Sequence, residues 1–553
     1  MLAQQAIGGS QMAKSQPQVN EAEYVVVGAG SAGCAVAGRL ADAGHSVVLL
    51  EAGGSDKSMM FKTPGMITMI HADPKLKAKF DWGYYHVPQA NLNNRTVPAT
   101  RGRLMGGSSS VNGMIFVRGN RADFDSWADE GNKGWSYDDV LATYKKLENW
   151  EGGASDYRGS GGPVQVIENH HITGAATSFV EAGKAALGVE QTPDYNGAEQ
   201  AGMHVIQENT HRGVRFSASR AYVTDNRSPG LSVQSGTTVA RVVIEGGRAT
   251  GVEVIHDGAK RTIRATKEVI VSAGAYGSPH ILQLSGIGHP DHLGEFDITV
   301  HADLPVGDNL HDHLFVPTTW HVDNSPNKGN AFFFGKGIVK EQLKRGRTFM
   351  AHSVFESGAF VSTSHAPAGL PDMQLLALPW SYPAPNQDAP VRMKSDQRTS
   401  WSVFSTLIQP KSRGTLRLAS ADPTVAPLID PQFLAEPDDL AVLREGLDMI
   451  RETMNHPSIA SHVKAEYEPG PAYSGDRLTE EIRNRATTVY HPVGSCRMGV
   501  DERAVVDPEL KVRGIEGLRV ADASIMPTII RGNTNAPSIM IGEKCAELIL
   551  QKG

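Results

Sequence analysis

Cysteine is scarce in this chain: three residues, Cys34, Cys496 and Cys545, in 553. That number and scatter exclude a disulfide framework and fit a reducing compartment. No apolar run approaches the roughly 18 residues of a membrane span, and the polar, Gln-rich start lacks the apolar core of a secretion signal. Met1 to Glu21 is therefore expected to be a disordered or appended leader, and the protein to be cytoplasmic, with no transmembrane segment. The formal charge of −7 and the lack of a basic run with interleaved aromatics argue against a nucleic-acid partner. There is no linker, repeat or low-complexity tract. Ser108 to Ser110 carry no G-x-S-x-G elbow. His311-x-His313 and His170-His171 lack the Cys or carboxylate companions of a zinc site, so no metal is expected. Cys496 has no activating neighbours and reads as a small buried hydrophobe. What is present is ordinary for a soluble globular protein, 40% hydrophobic and 20% charged residues, at a length that suggests two to four domains.

Against this background the segment Tyr24-Val25-Val26-Val27-Gly28-Ala29-Gly30-Ser31-Ala32-Gly33 stands out. A β-branched run leads into a G-x-G-x-x-G, and Ala32 to Ala43 places small and apolar residues at helical spacing, which reads as strand, tight turn and helix. Gly28 permits the turn, Gly30 lets backbone approach a pyrophosphate, and Gly33 lets helix and strand pack closely. The helix N-terminus then offers unpaired N–H groups to the anion. Gly44 ends the helix, Ser46 to Leu50 reads as a second strand, and Glu51 follows Gly33 by 18 residues, about where an acidic side chain reaches a ribose hydroxyl. An unphosphorylated ribose, as in NAD or FAD, is the expectation.

A second glycine- and serine-rich loop, Gly102-Arg103-Leu104-Met105-Gly106-Gly107-Ser108-Ser109-Ser110-Val111-Asn112-Gly113, lies far from the first. Its backbone N–H groups and hydroxyls can face a cofactor closely. Arg261 to Ser272 reads as β-rich chain, Glu436 to Met454 as an amphipathic helix, and Ser538 to Leu550 as a helix packing back on the nucleotide fold. Trp82, Tyr84 and Tyr85 precede the second loop, while Phe332 to Phe334 and Trp380 with Tyr382 suit either a core or an aromatic-lined site.

The stretch from Gly102 to Gly119 resembles the first signature of the glucose-methanol-choline (GMC) oxidoreductases, and Gly274 to Gly288 resembles the second. Pro305-Val306-Gly307-Asp308-Asn309-Leu310-His311-Asp312-His313, Pro410 to Gly414 and Val520 to Pro527 agree, so the likeness runs from about Tyr24 to Leu550. In tone it is nearest to choline-dehydrogenase-like alcohol dehydrogenases and aryl- or furfuryl-alcohol oxidases. The resemblance implies an α/β fold, α+β overall. A discontinuous Rossmann-like FAD domain would comprise residues 1–165, 214–316 and 487–553, with a substrate domain of 166–213 and 317–486 built on an antiparallel sheet with helices. It further implies an oxidase or dehydrogenase that converts an alcohol, expected to be primary, to the aldehyde, with O2 or a quinone-type acceptor as electron sink.

Such chemistry needs a base for the hydroxyl proton while flavin N5 takes the hydride. The match of Tyr490-His491-Pro492 to the family's catalytic position implies His491 as base, and the family's second position falls on Asn533, with Asn535 as its nearest rival. An Asn orients the substrate oxygen but cannot titrate, so His491 would carry the proton alone. By the same resemblance, Gly28, Gly30, Ser31, Ala32, Gly33, Glu51, Ala52, Arg103, Gly106, Gly107, Ser109, Asn112, Gly113, Met114, Val239, Ala273, Tyr490, Asp522, Ala523, Asn533 and Thr534 would contact FAD. Some relatives bond FAD covalently to a His before the loop Asn; here that residue is Val111, which implies noncovalent FAD. Lyases and fatty-acid photodecarboxylases share the scaffold and remain rival readings, with an NAD-dependent dehydrogenase further behind.

Overall fold

In a computed structural model the described residues are 19–225, 228–323, 331–344, 348–382 and 399–551. Two seven-stranded sheets dominate them. The first is built on parallel strands in the spatial order Leu231–Gln234, Val47–Leu50, Glu21–Val27, Ala259–Val271 and Leu518–Val520. Strand Val47–Leu50 is apolar at every position and buried throughout, as a strand covered on both faces must be. The 13-residue strand Ala259–Val271 does double duty. Its second half pairs parallel with Glu21–Val27, and its first half pairs antiparallel with Arg248–His256, which in turn pairs with Thr237–Glu245.

The expected strand-turn-helix is present as Glu21–Val27 followed by helix Ser31–Asp42. Gly28 adopts φ +95°, open only to glycine at low cost, and a Cβ there would stand 2.5 Å from the Ser272 carbonyl oxygen. A Cβ on Gly33 would meet the Gly28 carbonyl at 1.9 Å, so helix and strand approach as closely as backbone allows. The expected leader ends earlier than Glu21. Asn20 accepts from the Arg264 backbone N–H, and Glu21 opens the first strand, because its backbone finds sheet partners; residues 1–18 lie outside the described part.

The second sheet is antiparallel, in the order Val463–Glu468, Leu314–Val322, Ser400–Leu407, Met373–Leu378, Ser357–Val361 and Gly202–Val205, with Thr487–Thr488 also on Leu314–Val322. Its strands show period-two segregation. Leu314, Val316, Leu375, Trp401 and Val403 join a core with helices Gly174–Leu187 and Pro437–Asn455. Phe315, Leu376, Leu378 and Phe404 join another, on the opposite face. The amphipathic helix expected over Glu436 to Met454 matches Pro437–Asn455.

The last helix, Asn535–Leu550, begins three residues before the expected Ser538 and packs on helix Ser31–Asp42. Gly542 permits that contact, since a Cβ there would come within 2.4 Å of the Ala32 carbonyl oxygen. Gly542→Val is expected to destabilise the fold by about 1–3 kcal/mol through overpacking, read as a lowered Tm in thermal unfolding. An unchanged Tm would contradict so close an approach.

Candidate active site

A cavity of about 430 Å³ runs from the glycine turn to His491, between the two sheets. At its nucleotide end lie Gly28, Gly30, Ser31, Ala32, Glu51, Ala52 and Val239. The Glu51 carboxylate is buried and accepts from the backbone N–H groups of Ala29 (3.1 Å) and Gly53 (2.8 Å). Burial nonetheless pushes its pKa up to about 7. The second loop folds directly onto the first: a Cβ on Gly107, at φ +52°, would be 2.9 Å from the Gly30 Cα. Asn112, Gly113 and Met114 line the middle of the cavity with Ala273, Asp522, Ala523 and Thr534. Asp522 accepts from the Gly274 N–H (2.8 Å) and the Ser278 hydroxyl (2.5 Å), which joins the start of helix Gly274–Leu284 to the C-terminal segment.

Four of the residues expected at the cofactor stand behind the cavity wall. Gly33 acts through helix–strand contact, and the Gly106 N–H donates to the Ala29 carbonyl. The Ser109 hydroxyl donates to the Gly106 carbonyl and accepts from the Ala218 N–H. The Arg103 guanidinium lies over the Trp82 ring at 5.2 Å.

At the far end stand His491, Tyr490 and Asn533. Tyr490 holds φ +68°, an uncommon conformation for a bulky residue, and the Asp312 carboxylate fixes the next peptide by accepting the His491 backbone N–H at 2.7 Å. Thr488 donates to the same carboxylate at 2.5 Å. Burial raises the Asp312 pKa to about 7. The His491 ring meets Asn533 Nδ2 through Nε2 (3.3 Å) and His313 Nδ1 through its own Nδ1 (3.0 Å). Burial, then the neighbouring His313 and Arg101, hold the His491 pKa well below that of ordinary imidazole, so the ring is neutral at neutral pH. Asn535, the rival of Asn533, instead accepts from the Ser31 hydroxyl at 2.8 Å, although it too borders the cavity.

Sequence reasoning missed three neighbours here: His313, Asp312 and Arg101. His313 and Asp312 lie in the quoted segment Pro305 to His313, but 178 residues separate His313 from His491 and no spacing rule links them. His311 donates or accepts locally, with Nε2 taking the Ile529 N–H at 2.9 Å and Nδ1 2.6 Å from the Asn309 carbonyl. Among the described residues no group of three or more metal-ligating side chains occurs. All three cysteines are buried and unpaired.

The wall near His491 is apolar and aromatic. Phe315, Val354, Leu376, Leu378, Trp380 and Phe404 supply it, with the Phe315 and Phe404 rings 4.5 Å apart and Tyr382 edge-on to Phe404 at 5.0 Å. Trp82 and Tyr84 also border the cavity, while Tyr85 is exposed. The side chains of Phe332 to Phe334 lie outside the described residues.

The fold agrees with comparisons to known proteins. The sequence profile of the GMC oxidoreductases matches residues 22–315 in its N-terminal part and 410–542 in its C-terminal part. The chain is 40% identical over 549 residues to an oxygen-dependent choline dehydrogenase of Sinorhizobium medicae (strain WSM419), with 96% of each chain covered. It is 38% identical over 540 residues to an alcohol dehydrogenase (acceptor) of Pseudomonas putida, again with 96% of each covered. Among solved structures, pyridoxine 4-oxidase from Mesorbium loti superposes with a TM-score of 0.84 at 28% identity, covering 96% of this chain and 99% of that one. The glycine cradle, the buried Glu51 carboxylate and the long cavity fit the FAD on which this family depends. With Val111 before Asn112 the chain has no ring nitrogen at that position to bond the flavin. Acid precipitation of the purified yellow protein is therefore expected to leave all flavin in the supernatant; colour retained in the washed pellet would refute this.

Proposed function

The chain belongs to the GMC oxidoreductase family and is an oxidoreductase acting on CH–OH donors, and on that premise we propose that it oxidises an uncharged, apolar primary alcohol to its aldehyde with His491 as base. One observation carries the reading: a neutral His491 and the Asn533 amide face each other across 3.3 Å at the inner end of the cavity that starts at the glycine turn. FAD, when bound, supplies the acceptor for the α-hydride. The residues of this chain handle the rest. A hydroxyl that displaces the direct contact between these two side chains donates to His491 Nε2 and accepts from Asn533 Nδ2. Loss of its proton to Nε2 leaves the oxygen free to form the carbonyl as the hydride departs.

The substrate class follows from the wall. The two carboxylates in the described lining, Glu51 and Asp522, belong to the nucleotide end and the adjoining helix start. Of the charged lining residues, the Arg101 guanidinium acts on His491, lowering its pKa, and repels a cationic substrate, while the Asp312 carboxylate is held behind the wall on the His491 backbone N–H. Phe315, Phe404, Leu376 and Leu378 instead favour burial of hydrocarbon, at about 25 cal/mol per Å². The Sinorhizobium relative is a choline dehydrogenase; here no carboxylate among the described lining residues stands at the aromatic end to pair with a quaternary ammonium.

Two outcomes test the reading. Anaerobic mixing with apolar primary alcohols should bleach the flavin band, and His491→Ala should slow that bleaching at least about a hundredfold; near-normal bleaching in the variant would refute the base. The neutral ring is the reactive form, so protonation removes activity. Because its pKa lies well below 6.5, kcat/KM should be flat from pH 6.5 upward, with its acid limb confined to lower pH. An acid limb centred at or above pH 6.5 would contradict the electrostatics of the site.

A further inference from the structure

The hydrogen bonds around His491 have a direction, and one atom sets it. The Ile408 carbonyl oxygen, 3.1 Å from His313 Nε2, can only accept, so Nε2 of His313 carries the proton. His313 is fully buried, and burial lowers its pKa to about 3, so the ring is neutral and its Nδ1 bears a lone pair. His491 Nδ1, 3.0 Å away, must then be the donor of that pair, which leaves His491 Nε2 without a proton. The contact between Nε2 and Asn533 Nδ2 at 3.3 Å follows as a donation from the amide. With its nitrogen so committed, Asn533 presents Oδ1 to Gln374, whose Nε2 donates to it at 3.3 Å.

With His313 neutral and its proton on Nε2, each assignment follows from the one before. The result is a chain of four hydrogen bonds running one way, from Gln374 through Asn533, His491 and His313 to the Ile408 carbonyl. Neither His313 nor Gln374 borders the cavity. Both are buried, Gln374 at 1% exposure, on the strand Met373–Leu378.

We propose that His313 and Gln374 are positioning residues that fix the direction of proton transfer, His313 by setting the His491 tautomer and Gln374 by setting the Asn533 amide. The inference rests on the reading of His491 as base. A substrate hydroxyl that displaces the direct Asn533–His491 contact meets the amide N–H as donor and the freed Nε2 lone pair as acceptor, with no change of tautomer. When Nε2 takes the proton, the positive ring keeps its Nδ1–H on His313, so the new charge is met by an acceptor already in place. No proton leaves His491 through His313 in this step, because His313 Nε2–H stays on the carbonyl.

The test compares His313→Gln with His313→Leu in the FAD-loaded enzyme, with Gln374→Leu alongside. A Gln amide can accept from His491 and donate to Ile408; Leu can do neither. His313→Leu is expected to slow anaerobic flavin bleaching at least tenfold at saturating alcohol, with KM within about threefold of wild type, and His313→Gln to restore most of the rate. Gln374→Leu is expected to lower the rate less, with Asn533 free to turn. Flavin content and Tm are measured on every variant, and a loss of rate in His313→Leu that tracks loss of flavin or a lowered Tm would overturn the proposal in favour of a packing role. Equal rates in His313→Leu and wild type would also overturn it. If His491→Ala is itself near normal, the base reading fails first; if His491→Ala is slow while His313→Leu is not, only the positioning of His491 fails.

Discussion

The site depends on one contact, the hydrogen bond between two neutral imidazoles, His491 and His313, made where water is excluded. In water either ring would exchange tautomers and bind protons near pH 6.5. Burial disfavours the charged form of both, and the fixed carbonyl of Ile408 removes the remaining freedom. The lone pair that faces the cavity is thus a product of packing rather than of the residue type alone. On the proposed reading such a site trades basicity for readiness: the ring binds a proton weakly at rest, and would hold it once loss of the hydride makes the hydroxyl far more acidic.

The fold is arranged so that this contact can exist. His313 immediately precedes strand Leu314–Val322 of the antiparallel sheet, and His491 follows the short strand Thr487–Thr488 that pairs with the start of the same strand. One ladder therefore sets the spacing of the two rings. Beyond Tyr490 and His491 the chain returns to the parallel sheet through Leu518–Val520, whose pairing with Ala259–Val271 brings Asp522 and Ala523 beside the glycine turn. The cavity is long because it follows the seam between the sheets. Period-two alternation in the antiparallel strands gives it an apolar wall on one face while the other face packs on helices.

Much of this was legible in the sequence, for physical reasons that differ from place to place. The turn at Gly28 to Gly33 could be read because any Cβ on Gly33 would stand 1.9 Å from the Gly28 carbonyl oxygen, so the requirement for glycine is written in residue type. The helix Pro437–Asn455 could be read because burial on one face imposes a period of 3.6. His491 and Asn533 came through resemblance to long motifs, not through any local rule. His313 escaped because its partner is 178 positions away, and its spacing to His311 raised only a metal reading, which the lack of companion ligands excluded. Arg103, Gly106 and Ser109 sit behind the cavity wall because neighbouring residues of their loop face opposite sides of it, an alternation that sequence spacing does not show. The end of the leader was misjudged because Val19 and Asn20 are held by partners more than 200 positions away, Gln234, Arg261 and Arg264, which no local pattern reveals.

The central claim is that this chain removes a proton and a hydride from an apolar alcohol. Its most direct test is a single anaerobic turnover with a benzylic or medium-chain primary alcohol and with the same alcohol deuterated at the α-carbon. The account predicts one aldehyde formed per flavin bleached and a several-fold slower bleaching of the deuterated substrate, since the C–H bond breaks in that step. Flavin that stays oxidised, or aldehyde formed without bleaching, would contradict it.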